Sequence, residues 1–444
     1  MPNFDGFILR RATLALASAL VTAGYAVAAH AQAPILTAPT NATGSVTPPA
    51  TTPAAPEAPK PWVAPATFGE WASAIKLSFQ GEAGIIGNTD DPRNQTNFGQ
   101  LFTDKSNRPV LNQFLVTASR DLDTTATGWE FGFKLQLMYG SDARIIHNIG
   151  VFDQLIHDRN QFDVVEANGS VRIPVIEGGI DLKVGIYPTP LGVEVIDPKG
   201  NAFYSKSYIY NYGLPFKHSG GLAIAHVSPM VDLYGGVDTG VNTFTDNNSY
   251  AGYIAGVGLT LLGGNLTVLA LTHIGVENPS NVPAPYGNAG LRYLNDLAVV
   301  YKATDKLTFT TEVNYIRDDG YRAEAFGAAQ YVAYALNDQF TLNGRAEVFR
   351  DQNNFFVSNP NNNRDYINFQ RGSYSTFITA AKPTTYSELT LGVTYKPEGL
   401  PAPVAALLIR PELRYDRALN NSRPYGDRNR RDVFTLGTDV VLGF

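Results

Sequence analysis

Residues 431–444 read RDVFTLGTDVVLGF and end on an aromatic ring. Side chains alternate from face to face along an extended strand. Phe434, Leu436, Thr438, Val440, Leu442 and Phe444 therefore share one face, which is nearly all apolar. Val433, Thr435, Gly437, Asp439, Val441 and Gly443 share the other, which is mixed and carries a carboxylate. Two architectures accept such a strand. One is a soluble sandwich with a solvated face; the other is a barrel with one face in lipid and one face wet. The rest of the chain decides between them.

The pattern of this strand recurs upstream. Alternating segments run over 75–86, 111–119, 129–139, 162–173, 180–186, 221–227, 231–237 and 252–261. They continue over 266–274, 293–302, 307–315, 324–334, 340–349, 386–396 and 407–415, and end with the terminal stretch. That makes about sixteen strands, most near the length of a tilted membrane strand. Short connections such as 174–179, 228–230, 263–264, 303–306, 336–339 and 397–403 alternate with long ones. The long ones are 87–110, 140–161, 187–220, 275–292, 350–385 and 416–432. Short turns on one side and long loops on the other are the plan of an outer-membrane barrel, with both ends of an even-stranded barrel on the short-turn side. Residues 251–276 carry no charge and have the length of a membrane helix. Gly263-Gly264 at the middle and the alternation on either side favour a hairpin instead.

Composition agrees. The chain has 444 residues, long enough for one large β domain, and no cysteine. A secreted soluble protein of this size often relies on disulfides; a closed ring of strands is another way to hold the chain. Charged residues make up 17% and aromatics 11%, with 41 glycines, and the mean hydropathy is only −0.12. Few charges, many rings and moderate hydropathy suit a wall with one lipid face and one wet face. Arg10 and Arg11, the apolar run from Ala12 and the small-x-small site Ala29-His30-Ala31 have the form of a secretory signal, residues 1–31. No cysteine follows for lipid attachment. Residues 32–67 are rich in Pro, Ala and Thr and cannot build a core, so an extended linker precedes a barrel expected over 68–444. Removing residues 1–31, with Asp5, Arg10 and Arg11, takes the net charge from −6 to −7. An acidic chain argues against nucleic acid as a partner.

The two faces of the strands also indicate an inside and an outside. Trp129, Phe131, Phe133, Leu135 and Leu137 oppose Glu130, Lys134 and Gln136. Ile409, Pro411, Leu413 and Tyr415 oppose Arg410, Glu412, Arg414 and Asp416. Arg or Lys at the midplane of the lipid face costs roughly 2–4 kcal/mol, so the charged faces are expected to line the lumen. The expected pore lining is Glu130, Lys134, Asp181, Lys183, Glu312, Arg345, Glu347, Glu388, Arg410, Glu412 and Arg414. Lys76, Gln80, Glu82 and Lys396 follow by the same parity. About sixteen strands enclose more space than side chains fill, which leaves a wet lumen.

Several stretches are similar to a known family. Gly185-Ile186-Tyr187 leaves a strand, followed by Gly192, Glu194, Asn201, a Tyr/Ser-rich segment, Leu214-Pro215 and His218-Ser219-Gly220. Val231 to Asn242 with Tyr234, and Asn247-Asn248, resemble the family's next segment. These features, spread over most of 70–444, resemble the OmpL-like β-barrel porins. The resemblance implies an all-β transmembrane barrel in the outer membrane that passes small polar solutes and carries no catalytic residues or cofactor. The terminal strand likewise resembles the closing strand of outer-membrane barrels, where Thr435, Gly437, Val440, Leu442 and Phe444 would be the signal read by the assembly machinery. General porins fold a long third loop into the barrel. By position this is 187–220, so Glu194, Asp197, Lys199, Lys206 and Lys217 are expected at a constriction. General porins also imply a homotrimer.

Other readings stay open beside the channel. Phe203, Tyr204, Tyr208, Tyr210 and Tyr212 in the same loop would suit sugar stacking. Arg417, Arg423, Arg428, Arg430 and Arg431 could meet lipopolysaccharide phosphates at the outer surface. A receptor or adhesin acting through the outer loops would use the same barrel. No H-E-x-x-H, G-x-S-x-G or phosphate-binding loop is present, so neither an enzyme nor a metal site is expected. The acidic loops at 88–97 and 246–249 lack the spacing of a dedicated calcium site.

Overall fold

The computed structural model describes residues 68–123, 128–282 and 290–444. The expected signal segment, 1–31, and the Pro/Ala/Thr-rich segment, 32–67, lie outside the described residues. Sixteen antiparallel strands close into one barrel. They are β1 (Lys76–Asn88), β2 (Pro109–Arg120), β3 (Glu130–Gly140), β4 (Gln161–Ile173), β5 (Ile180–Pro188) and β6 (Lys217–Ser228). Next come β7 (Val231–Asp238), β8 (Gly252–Leu261), β9 (Leu266–Val276), β10 (Leu291–Lys302) and β11 (Leu307–Asp318). The wall is completed by β12 (Ala323–Ala335), β13 (Phe340–Asp351), β14 (Thr384–Tyr395), β15 (Ala406–Ile409 with Glu412–Ala418) and β16 (Asp432–Gly443).

Each strand pairs with its neighbours in sequence, and β16 returns to β1 in the register Gln80↔Gly443 to Asn88↔Thr435. Phe444 extends the seam, donating its N–H to Phe79 O (2.9 Å) and accepting from Phe79 N–H (3.2 Å). Closure pairs backbone groups that would otherwise face lipid unsatisfied. Among the described residues no helix is long and apolar enough to cross a membrane; the crossing is made by strands. The uncharged stretch 251–276 is the β8–β9 hairpin, turned through Gly263 and Gly264, both at positive φ. The strand expected over 407–415 is broken at Arg410-Pro411. Proline has no N–H to give to the ladder, and Pro411 still accepts from Val393 N–H at 3.1 Å. The short helix α1 (Phe68–Ser73) was not expected. It rests on the short-turn rim, where Trp71 donates its indole N–H to Phe131 O at 3.2 Å and Arg120 stacks over the Trp71 ring.

The barrel is inside-out relative to a soluble protein. Phe131 and Leu391 on the outer face are each 54% exposed, while Glu347 and Arg345 on the inner face are 3% and 1% exposed. Inner and outer faces follow the expected parity, but not every inner position is polar. Leu115, Met138, Leu271, Leu294 and Ile316 point inward and are buried. They face a packed interior instead of water, because outer loops enter the lumen. Phe98 and Phe102 from loop L1 (89–108), Ile145 and Ile146 from L2 (141–160) and Tyr425 from L8 (419–431) join the same apolar cluster. The largest contribution comes from L3 (189–216), with Leu191, Ile196, Tyr208, Tyr210, Leu214 and Phe216. L7 (352–383) lies over this end, with a hairpin of Ser358–Pro360 against Phe377–Thr379 and a helix α2 (Asp365–Gln370).

Candidate constriction

L3 leaves β5 at Pro188 and returns at β6, and its neck is pinned by Thr189 N–H donating to Phe216 O at 2.9 Å. Between these points the chain has few ladder partners, so its backbone polar groups need others. The wall supplies them. Gly192 N–H donates to Asp296 (3.1 Å) and Val193 N–H to Glu312 (3.0 Å). Tyr204 N–H and Ser205 N–H donate to Glu412 at 2.9 and 3.1 Å. Tyr208 N–H and Ile209 N–H donate to Glu347 at 2.6 and 2.8 Å. The carbonyls are met by arginines: Arg410 donates to Pro198 O and Asn201 O (2.7 and 2.8 Å), Arg414 to Lys206 O (2.6 Å) and Arg345 to Ser205 O (3.0 Å). Charge-assisted bonds of this kind are short and strong.

The loop also organises itself. Asp197 caps the turn Pro198–Gly200 by accepting from Lys199 N–H, and Asn201 bridges back to Val195 through both its amide atoms. Ser207 N–H donates to Glu194 at 2.7 Å, and a π-helical turn, Ile209–Gly213, then leads back toward the neck. Two wall glycines make room. A side chain at Gly84 would strike the Tyr204 ring, and one at Gly327 would strike Ile209.

Seven of the residues expected to line the pore are brought together around L3. Arg345 lies between Glu194 (2.7 Å) and Glu388 (3.0 Å), and Thr390 also donates to Glu388. Arg410 pairs with Asp439 and with Glu82 (3.1 Å), and Arg414 pairs with Asp416 (2.8 Å). Glu312, Glu347 and Glu412 hold the loop's N–H groups as described. The other four stand apart on β3 and β5. Glu130 pairs with Arg120, Lys134 pairs with Glu166 (2.5 Å) and is 37% exposed, Asp181 pairs with Arg172 (2.6 Å), and Lys183 is half-buried. Asp296 and Asp439 were missed, although both follow from the alternation of their strands; Asn112, which accepts from the Tyr204 hydroxyl at 2.8 Å, does not, because a β-bulge in β2 turns it inward beside Gln113.

The loop residues divide as well. Glu194 is buried on Arg345, and Asp197 accepts from Gln80 at 2.8 Å. Lys206 is buried over the Tyr210 ring (5.2 Å), and Lys199 is exposed. Lys217 is not a loop residue: it begins β6, fully buried against Asp163, because the ladder extends further out than the sequence indicated. Phe203, Tyr204, Tyr208, Tyr210 and Tyr212 are all buried. Tyr208 stacks on Tyr386 (5.0 Å) and shares a hydrogen bond with Tyr425 (2.9 Å), so these rings pack the interior and do not present a stacking platform.

L2 is tied to the wall by a separate polar chain. His147 bonds Asp163 (3.1 Å) and Asp153 (2.7 Å), and Arg371 of L7 pairs with Asp153. Burial opposes charge on His147, but the two carboxylates outweigh it and hold the imidazolium above its usual 6.5. Burial raises Asp153 too, yet His147, Gly150 N–H and Arg371 together hold it below the usual carboxylate range.

A sixteen-strand barrel with a third loop latched across its middle matches a known sequence family. Residues 75–444 fit the family described as Putative beta-barrel porin-2, OmpL-like. The chain belongs to this porin family. It is an outer-membrane β-barrel of the class that passes small solutes by diffusion. No curated protein sequence matches it. Among solved structures it is similar in fold to the anion-selective porin from Comamonas acidovorans, at 9% identity and TM-score 0.51, over 83% of this chain and 99% of that one. It is also similar to OprB of Pseudomonas putida, at 12% identity and TM-score 0.50, over 84% and 95%.

Proposed function

We propose that this porin passes small polar solutes by diffusion and, among ions, favours cations. One observation carries the reading. Arg345, Arg410 and Arg414 are each tied to wall or loop carboxylates, whereas Asp296, Glu312, Glu347 and Glu412 meet L3 through N–H groups and form no ion pair among the described residues. Carboxylates thus outnumber the cations Arg345, Arg410, Arg414 and Lys206 at the latch, and each of Asp296, Glu312, Glu347 and Glu412 that is ionised adds to a negative surplus. A ring of one charge sign in a narrow, low-dielectric passage admits the opposite sign more readily. Purified protein in a planar bilayer under a salt gradient gives the test. Stepwise conductance with a reversal potential on the cation side is expected. An anion-side potential overturns the selectivity, and folded protein that never conducts overturns the channel in favour of a receptor or adhesin. A homotrimer belongs to this reading as the expected assembly, and native mass measurement in detergent checks it. Catalysis has no place in it.

A further inference from the structure

Four of the five described histidines fall into two kinds; the fifth, His157, is exposed. His147 and His226 each set their two ring nitrogens on two different carboxylates: Asp163 and Asp153 for the first, Asp232 (2.7 Å) and Asp181 (3.1 Å) for the second. That arrangement suits an imidazolium. His218 and His273 instead turn one nitrogen each onto a single shared carboxylate. His218 Nδ1 lies 2.8 Å from Asp238 Oδ2, and His273 Nε2 lies 3.1 Å from both oxygens of Asp238. All three side chains are fully buried, and one donor atom from each lies within 4.8 Å of the others.

The far nitrogens complete the pattern. His218 Nε2 meets Thr189 Oγ1 at 3.1 Å, at the neck of L3, and His273 Nδ1 faces Glu277 Oε1 at 3.7 Å. An imidazole that ligates a metal through one nitrogen characteristically turns the other N–H to an oxygen, often a carboxylate. His273 Nδ1 and Glu277 Oε1 are both buried without a hydrogen-bond partner, so this pair is not accounted for by ordinary bonding. The wall also leaves space at this point: a side chain at Gly252 would strike both Asp238 and His273.

We propose that His218, Asp238 and His273 form a site for a divalent transition-metal ion of the zinc type. Two imidazole nitrogens with one carboxylate oxygen suit Zn²⁺ and its neighbours, whereas Ca²⁺ and Mg²⁺ take oxygen donors. Three protein ligands leave the fourth tetrahedral position to water. Each neutral imidazole only has to carry its proton on the far nitrogen, where Thr189 Oγ1 accepts from His218 and Glu277 Oε1 lies 3.7 Å from His273. The ligands come from β6, β7 and β9, so a bound ion would cross-link three wall strands and, through Thr189, brace the neck of L3. No sequence motif announces the set, since the ladder and not the spacing brings positions 218, 238 and 273 together. The site does not depend on the selectivity proposed above.

Folded full-length protein in detergent micelles, free of lipopolysaccharide, stripped with a chelator and reloaded with Zn²⁺, provides the test. After desalting, about one zinc per chain is expected by mass spectrometry, as for a site whose ligands are pre-assembled. His218→Asn and His273→Asn should retain background metal only, while His226→Asn should retain the wild-type amount. Co²⁺ loading of the wild-type protein should give the intense visible bands of four-coordinate cobalt, which decides the matter even if a variant fails to fold. Wild-type protein that keeps no zinc above background overturns the proposal, as do His218→Asn and His273→Asn proteins that keep as much as the wild type.

Discussion

Replacing Arg345 by methionine removes a buried cation while keeping most of the stem's volume. The guanidinium lies between β13, β14 and L3, bonding Glu388 at 3.0 Å, Glu194 at 2.7 Å and the Ser205 carbonyl at 3.0 Å. Both carboxylates are then left buried without their cation. Breaking a buried pair by removing one partner costs about 3–5 kcal/mol. The β13–β14 ladder is a backbone structure that the substitution does not touch, and Glu388 keeps the Thr390 hydroxyl. The loss therefore falls chiefly on L3. At 1.4 kcal/mol per factor of ten, the balance between latched and released loop shifts by roughly a hundred- to a few-thousand-fold. Bilayer recordings should show larger and noisier steps, with heat-modifiable mobility on gels unchanged. The double variant Arg345→Met with Glu194→Gln should recover part of the loss, because one stranded charge is gone. Folded Arg345→Met protein with wild-type conductance, wild-type noise and wild-type protection of L3 from protease would refute the latch.

The pH dependence of L2 follows from the two shifted groups. The stabilisation from His147, raised above 6.5, is complete below 6.5 and lost as pH rises through its folded value. That from Asp153, lowered below 3.8, is present above 3.8 and lost as pH falls through its folded value. Hydrogen-exchange protection of L2 should therefore fall on both sides of this window, and His147→Gln should flatten the alkaline side; flat protection in the wild type would contradict the assignment. Deleting Phe444 removes two seam hydrogen bonds to Phe79 and should lower the heat-modifiable, folded fraction; normal folding at normal yield would strip this residue of its special weight. Arg410→Gln with Arg414→Gln leaves Asp439 and Asp416 without their cations and should move the reversal potential further to the cation side; an unchanged potential would show that charge at the latch does not set the selectivity. The exported protein should begin near Gln32 and fractionate with the outer membrane, which intact-mass measurement and membrane separation check.

The barrel was legible because alternation is a local property. RDVFTLGTDVVLGF shows by period two alone which side chains of the last strand meet lipid and which turn inward, and the same holds for Glu347 against Val348 or Glu412 against Leu413. The strand break at Arg410-Pro411 was within reach too, since a proline cannot donate to a ladder. Parity does not say what stands across the lumen. It could not show that Glu347 and Glu412 clasp a loop more than a hundred residues away in the chain, nor that Leu115 and Leu271 turn inward onto that loop instead of onto water. Nor could it bring His218, Asp238 and His273 together from β6, β7 and β9. Those contacts depend on strand register and on the path of L3 through the closed ring, and neither exists until the whole wall has formed.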